Sequence, residues 1–157
     1  MKFTPDMLSA FSHYNHTRLE DKLADIRDNF DDYFDDGEAS PLLPEVFENV
    51  LSVFRLCDDN SLASWNVEPF SNGTIMLVSK NKDSVINIGV NKYSCSMEID
   101  GYSVDRNPVE INIQDIVSLI LRYYICNTYD IKVVKVKPET KSQPIYEFNV
   151  SARYATV

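Results

Sequence analysis

The chain reads as an α+β protein: an N-terminal helical pair, then an antiparallel sheet meander with one packed helix and a C-terminal strand pair. Three observations predict this. Apolar residues recur at helical spacing up to about residue 57. From Trp65 onward they alternate at period two, with turn residues between the runs. One further helical pattern interrupts the alternating part. At 157 residues the chain has the size of one domain with an ordinary core. It is read as one domain over 1–157, with an acidic helical part at 1–60 and the sheet plus helix at 61–157.

Residues 4–17 are expected to be weakly helical, with Thr4 as cap and Pro5 at the first helical position. The next helix is stronger. Leu19, Leu23, Ile26, Phe30, Tyr33 and Phe34 fall within an arc of about 100° on one side of a helix, with Gly37 as its stop. A second helix is predicted from Pro44 to about Cys57, burying Val46, Phe47, Val50, Leu51 and Phe54. The connection between them is short, so the two should pack as an antiparallel hairpin.

The strands follow. Trp65–Phe70 and Ile75–Lys80 flank Asn72-Gly73, a sequence suited to a type I′ turn with positive φ at both central residues. Asn81-Lys82-Asp83 turns the chain into Ser84–Val90. Tyr93, Cys95, Met97 and Ile99 alternate with Ser94, Ser96 and Glu98, and Asp100-Gly101 leads into Tyr102–Val104. The result is a sheet with one wet face. Trp65, the single tryptophan, should anchor the core. A helix over Ile113–Asn127 is capped by Asn112 and faces the sheet through Ile113, Ile116, Val117, Ile120, Leu121 and Tyr124. Ile131–Lys137 and Ile145–Tyr154 close the chain as strands around a polar loop, 138–144.

The net charge of −9 is confined to the first part. Residues 1–60 hold 14 of the 24 acidic and 5 of the 15 basic residues, whereas residues 61–157 hold 10 of each. A local field of this kind needs a local reason. Continued as one helix from Leu19, the residues Glu20, Asp21, Asp25, Asp28, Asp31, Asp32, Asp35 and Asp36 all fall on the flank from about 100° to 260°, opposite the apolar arc. The pairs Asp21/Asp25, Asp28/Asp32, Asp31/Asp35 and Asp32/Asp36 each oppose the helix by ~0.2–0.5 kcal/mol. The last aspartates also sit at the negative end of the helix dipole. Three readings follow: a solvated face or a helix that frays after Phe30, a partner-binding face, or a metal site. A calcium loop ending at Gly37 is rejected, because Phe34 takes a ligand position and Leu43 stands where the glutamate belongs.

Other chemistry is not signalled. No phosphate loop, nucleophile elbow or HExxH pattern is present. His13 and His16, three apart, lack an implied third ligand. Cys57, Cys95 and Cys126 are odd in number and widely spaced, and Cys95 and Cys126 sit in apolar patterns as small core residues. Lys132, Lys135, Lys137 and Lys141 form a small basic edge that guards a strand. Direct nucleic-acid binding is disfavoured by the charge. The N-terminus shows no signal-peptide pattern and no run is long enough to span a membrane, so the chain is read as cytoplasmic.

Leu43-Pro44-Glu45, Trp65-Asn66-Val67-Glu68-Pro69, Asn72-Gly73-Thr74-Ile75-Met76-Leu77, Ile86-Asn87-Ile88-Gly89 and Tyr93-Ser94 together resemble a class of small uncharacterised bacterial proteins. These are often encoded on mobile elements or near toxin–antitoxin-like gene pairs. The resemblance implies a helical N-terminus feeding an antiparallel sheet through a Pro-x-x-(Asn/Asp)-Gly turn, matched by Pro69 and Asn72. It covers about residues 43–94, implies a binding role and brings no catalytic residues.

The reading that results is a non-enzymatic intracellular interaction or regulatory module of bacterial type, without cofactor or metal. It is expected to bind a basic protein partner through Asp25, Asp28, Asp31, Asp32, Asp35 and Asp36. The alternatives are an enzyme whose site is assembled from scattered residues, and a homo-oligomeric structural subunit with an aromatic sheet face. A sharper form of the partner reading has the acidic helix mimic a phosphate backbone.

Overall fold

The computed structural model describes residues 13–35, 39–136 and 145–152, with the backbone alone from residue 129 onward. The elements in order are α1 (Tyr14–Asp28), a 3-10 turn (Phe30–Tyr33), α2 (Pro44–Leu56) and a second 3-10 turn (Asp59–Leu62). Strands β1 (Trp65–Pro69), β2 (Ile75–Ser79), β3 (Val85–Ile88), β4 (Lys92–Ile99) and β5 (Tyr102–Glu110) follow, then α3 (Ile113–Thr128), β6 (Tyr129–Val136) and β7 (Ile145–Ala152). The architecture is α+β. Strands β1 to β5 make one antiparallel meander in sequence order, and β6 pairs with β7 in a ladder of its own.

Strand alternation decides which face is dry. Trp65, Val67, Ile75, Leu77, Ile86, Ile88, Tyr93, Cys95, Met97 and Ile99 are buried on one face, while their chain neighbours on β1 to β4 stay half-buried or exposed. Leu19, Leu23 and Ile26 of α1, Val46, Val50, Val53 and Phe54 of α2, and Ile116, Leu119, Ile120 and Tyr123 of α3 complete the same core. Trp65 is the expected anchor, fully buried with its ring 5.1 Å from that of Tyr123. Cys95 is buried and Cys126 packs half-buried against the core.

Two hairpins separate on turn chemistry. At Asp100-Gly101 both residues take positive φ (51° and 81°) and Ile99 pairs with Tyr102, as a type I′ turn requires. At Asn72-Gly73 only Gly73 is left-handed, with φ of 87°. The type I′ expectation fails there. Gly73 N–H donates to Phe70 C=O and Phe70 N–H to Thr74 C=O, which closes a three-residue loop over Ser71–Gly73. Asn72 Oδ1 accepts from the Thr74 N–H and hydroxyl, so the asparagine is held by its own side chain outside the left-handed region.

Expectations about the extent of two elements and the buried face of two others are corrected. The helix begun at Leu19 is continuous with Tyr14–Thr17 and ends at Asp28, short of Gly37. Asn29 closes it: its N–H donates to Asp25 C=O and its side chain to Asp25 Oδ1. Phe30 then reaches the core from a tight 3-10 turn, so the apolar stripe continues without the α-helix. Strand β5 runs to Glu110 rather than Val104, because a bulge opposite Ser94 absorbs Asn107-Pro108 on this edge strand. On α3 the buried stripe is Ile116, Leu119, Ile120 and Tyr123, rotated from the expected face, and Leu121 is exposed. On α2, Val53 joins the core, and Phe47 and Leu51 are half-buried. The Asn112 cap holds, accepting the Asp115 N–H at 3.1 Å. The expected helix over residues 4–12 and the loop 138–144 lie outside the described residues, as do Asp36 and Gly37.

Candidate functional site

The acidic segment begins on a firmly tethered helix. Arg18, placed by the first turns of α1, donates to the carbonyls of Leu62 and Trp65 at 3.2 and 3.0 Å and to Asn66 Oδ1 at 3.2 Å. Asp59 accepts the His16 N–H at 2.8 Å and the Asn15 side-chain amide at 3.3 Å. A carboxylate supplied from the second 3-10 turn thus caps the positive end of α1.

The other end of the segment is different. Asp21, Asp25, Asp28, Asp31, Asp32 and Asp35 are all exposed. Asp28 pairs with its neighbour Arg27 at 3.0 Å, and Glu20 meets Arg55 at 3.9 Å. Among the described residues no salt bridge reaches Asp21, Asp31, Asp32 or Asp35. Because the α-helix stops at Asp28, Asp25 and Asp28 lie on α1, Asp31 and Asp32 on the 3-10 turn, and Asp35 beyond it. The single carboxylate flank expected from a continuous helix is therefore broken into a helical part and a turn part. Asp36 lies outside the described residues.

Asp25 is the one carboxylate of this set with neighbours built around it. The Tyr33 hydroxyl donates to its Oδ2 and the Asn29 amide to its Oδ1. Those two hydrogen bonds, Tyr33 first, hold its carboxyl below the usual aspartate range. Lys22 Nζ lies 3.0 Å from the same Tyr33 oxygen and 4.9 Å from the ring centre. The Tyr33 contact is the main cause that raises the Lys22 ammonium pKa.

These groups line a cleft of about 860 Å³ between α1, the Tyr33–Phe34 corner and β1. Leu19, Phe34, Val67 and Pro69 line it together with Asp21, Asp25 and Glu68. Sequence reading found Asp25 but missed Glu68 and Tyr33, whose approach to α1 depends on the 3-10 turn and on sheet placement.

Two other polar clusters are structural. His16 Nε2 lies 2.7 Å from Cys57 C=O, and its Nδ1 lies 3.1 Å from Asp59 Oδ1 without hydrogen-bond geometry. Cys57, His16 and Asp59 have the residue types of a nucleophile triad, but the ring nitrogen serves the backbone carbonyl. Burial also pushes the thiol up to about 12, the reverse of nucleophile activation. Toward the edge of the sheet opposite β1, Asp115 accepts from Arg106 Nε at 3.0 Å and from the Tyr93 hydroxyl, locking the start of α3 to β4 and β5. Arg106 first holds the Asp115 carboxyl down, and burial first pushes the Tyr93 hydroxyl up to about 12. Among the described residues no three metal-ligating side chains converge, and no helix is long and apolar enough to cross a membrane. The side chains of Lys132 and Lys135 on β6, and Lys137 and Lys141, lie outside the described residues.

Comparison with protein-family models, curated proteins and solved structures finds no match to this chain.

Proposed function

We propose that the protein is a non-enzymatic, cytoplasmic interaction module of bacterial type that docks a basic protein partner on the carboxylates of α1 and its 3-10 turn. Asp25, Asp28, Asp31, Asp32 and Asp35 are the contact residues, continued in sequence by Asp36. One observation carries the reading. Asp31, Asp32 and Asp35 stand exposed without an internal cation among the described residues, although the same segment uses its cations Arg18 and Lys22 elsewhere. A charge left uncompensated in the fold is available to a partner. The likeness of residues 43–94 to small bacterial proteins of mobile-element or toxin–antitoxin-like neighbourhoods adds weight to binding over catalysis.

The test is capture of partners from a lysate of the source organism at rising salt, beside a variant with Asp28, Asp31, Asp32 and Asp35 changed to Asn. Exposed charges are screened beyond ~8 Å at physiological ionic strength. A genuine partner is released as salt rises and is absent with the variant. Capture indifferent to both changes refutes the proposal.

A further inference from the structure

We propose that the chain forms a symmetric dimer through the outer edge of β5, with the stretch Tyr102–Arg106 of one copy laid antiparallel on the same stretch of a second copy. This association is independent of the acidic docking above and uses the other side of the molecule.

The two edges of the five-stranded sheet differ. Along β1 the edge is closed: Arg18 takes the Trp65 carbonyl, Val67 is 2% exposed and Pro69 has no N–H. On β5 the residues Tyr102, Ser103 and Asp105 are exposed, Tyr102 at 72%. Asp100-Gly101 closes a two-residue hairpin, so Ile99 and Tyr102 exchange main-chain hydrogen bonds, as do Met97 with Val104 and Cys95 with Arg106. Ser103 and Asp105 lie between these pairs and turn their N–H and C=O away from β4. Those groups have no hydrogen-bond partner among the described residues. The bulge and Pro108 interrupt the strand beyond Arg106, but Tyr102–Arg106 holds neither a proline nor a lysine to guard it.

Charge selects the occupant and the register. A two-fold axis at Val104 sets Val104 against its own copy, Ser103 against Asp105, and the Tyr102 ring against the Arg106 guanidinium. Ser103 and Asp105 then exchange main-chain hydrogen bonds through the groups that β4 leaves open. Centred on Ser103, the pairing runs into the turn at Gly101; centred on Asp105 or Arg106, it opposes two like charges. Arg106 keeps its Asp115 partner at 3.0 Å while its side chain is 32% exposed, so its guanidinium can meet an added ring. The same axis holds the acidic segments apart. β5 is the sheet edge opposite β1, against which α1 packs, and residues 61–157 carry 10 acidic and 10 basic residues. A strand of unrelated sequence would gain the backbone bonds without these side-chain pairs.

The full chain is followed by sedimentation velocity at rising concentration, with amide hydrogen exchange by NMR as the local readout. A dimer should form as concentration rises, and exchange of the Ser103 and Asp105 amides should slow with it. Ser103→Pro removes an outward N–H without touching the bonds to β4 and should abolish the dimer, whereas Ser103→Ala should keep it. Tyr102→Lys, at an exposed position, sets an ammonium against the Arg106 guanidinium twice in the symmetric pair and should weaken the dimer about tenfold. That variant decides the matter should Ser103→Pro not fold. A chain that stays monomeric at every concentration overturns the proposal. So does a dimer that Tyr102→Lys leaves intact, or one in which the Ser103 and Asp105 amides keep their monomer exchange rates.

Discussion

Both ends of α1 carry polar residues, and the fold treats them in opposite ways. At the start, Asn15, His16 and Arg18 turn inward, onto Asp59 and onto the carbonyls of residues 57, 62 and 65. At the end, Asp28, Asp31, Asp32 and Asp35 turn outward, and one neighbouring arginine is the sole ion-pair partner among the described residues. The first arrangement fixes the helix to the sheet. The second opposes the helix dipole, and the α-helix ends there, at Asp28. Within one segment, polar residues with partners fix the fold, and those without an internal ion pair stand open to solvent.

That contrast can be broken most forcefully at Arg18. Arg18→Met keeps the stem but removes donors to two backbone carbonyls, and should cost about 1.5–3 kcal/mol in a urea titration. Asp59→Ala removes the cap supplied to α1 and should cost about 1–2 kcal/mol in the same measurement. The opposite end should respond with the opposite sign. Asp31→Asn combined with Asp32→Asn should raise stability by about 0.3–1 kcal/mol, because it removes two negative charges that lie just past the negative end of α1. A loss of stability there would show that those carboxylates have internal partners after all.

The smallest effect is a titration. The Tyr33 hydroxyl and then the Asn29 amide lower the folded-state pKa of Asp25. A depressed carboxyl contributes stability above its unfolded value, ~3.9, and loses it as pH falls through the lower folded value. Carbon-13 NMR of the carboxyl should place the Asp25 midpoint below the ordinary aspartate range, and Tyr33→Phe should move it back up. An unmoved midpoint in Tyr33→Phe would separate Tyr33 from the cleft.

Local signals in the chain were readable wherever one residue type suffices. Pro44 marks the first turn of α2, Asn112 caps α3, and Asp100-Gly101 makes a two-residue hairpin. Asn72-Gly73 misled because Asn72 had a competing use for its side chain, on Thr74. The end of α1 was hidden for a related reason. Phe30 and Phe34 meet with tilted rings 5.2 Å apart and continue the apolar stripe whether the backbone is α-helical or a 3-10 turn. The face of α3 was ambiguous because apolar residues lie on most of its sides, so packing alone chose Leu119 and Tyr123. The acidic residues were legible individually. The cleft was not, since Arg18, Tyr33, Val67 and Glu68 meet only through the path of the chain in space.

Ser40 and Gly73 bear on how costly a docking event at the turn would be. The Ser40 N–H donates to Ser71 C=O at 2.8 Å, and a Cβ at Gly73 would stand 2.8 Å from the Pro41 carbonyl oxygen. Residues 40 and 41 are thus seated against the first hairpin, while the Asn29 side chain ties the start of the acidic turn to α1. The turn itself is closed by the Asn29 and Asp31 carbonyls, which accept the Asp32 and Phe34 N–H, so its backbone has already given up conformational entropy during folding. A partner that meets Asp31 and Asp32 has less disorder to quench on contact, and preorganisation of this kind favours association without adding an atom to the interface.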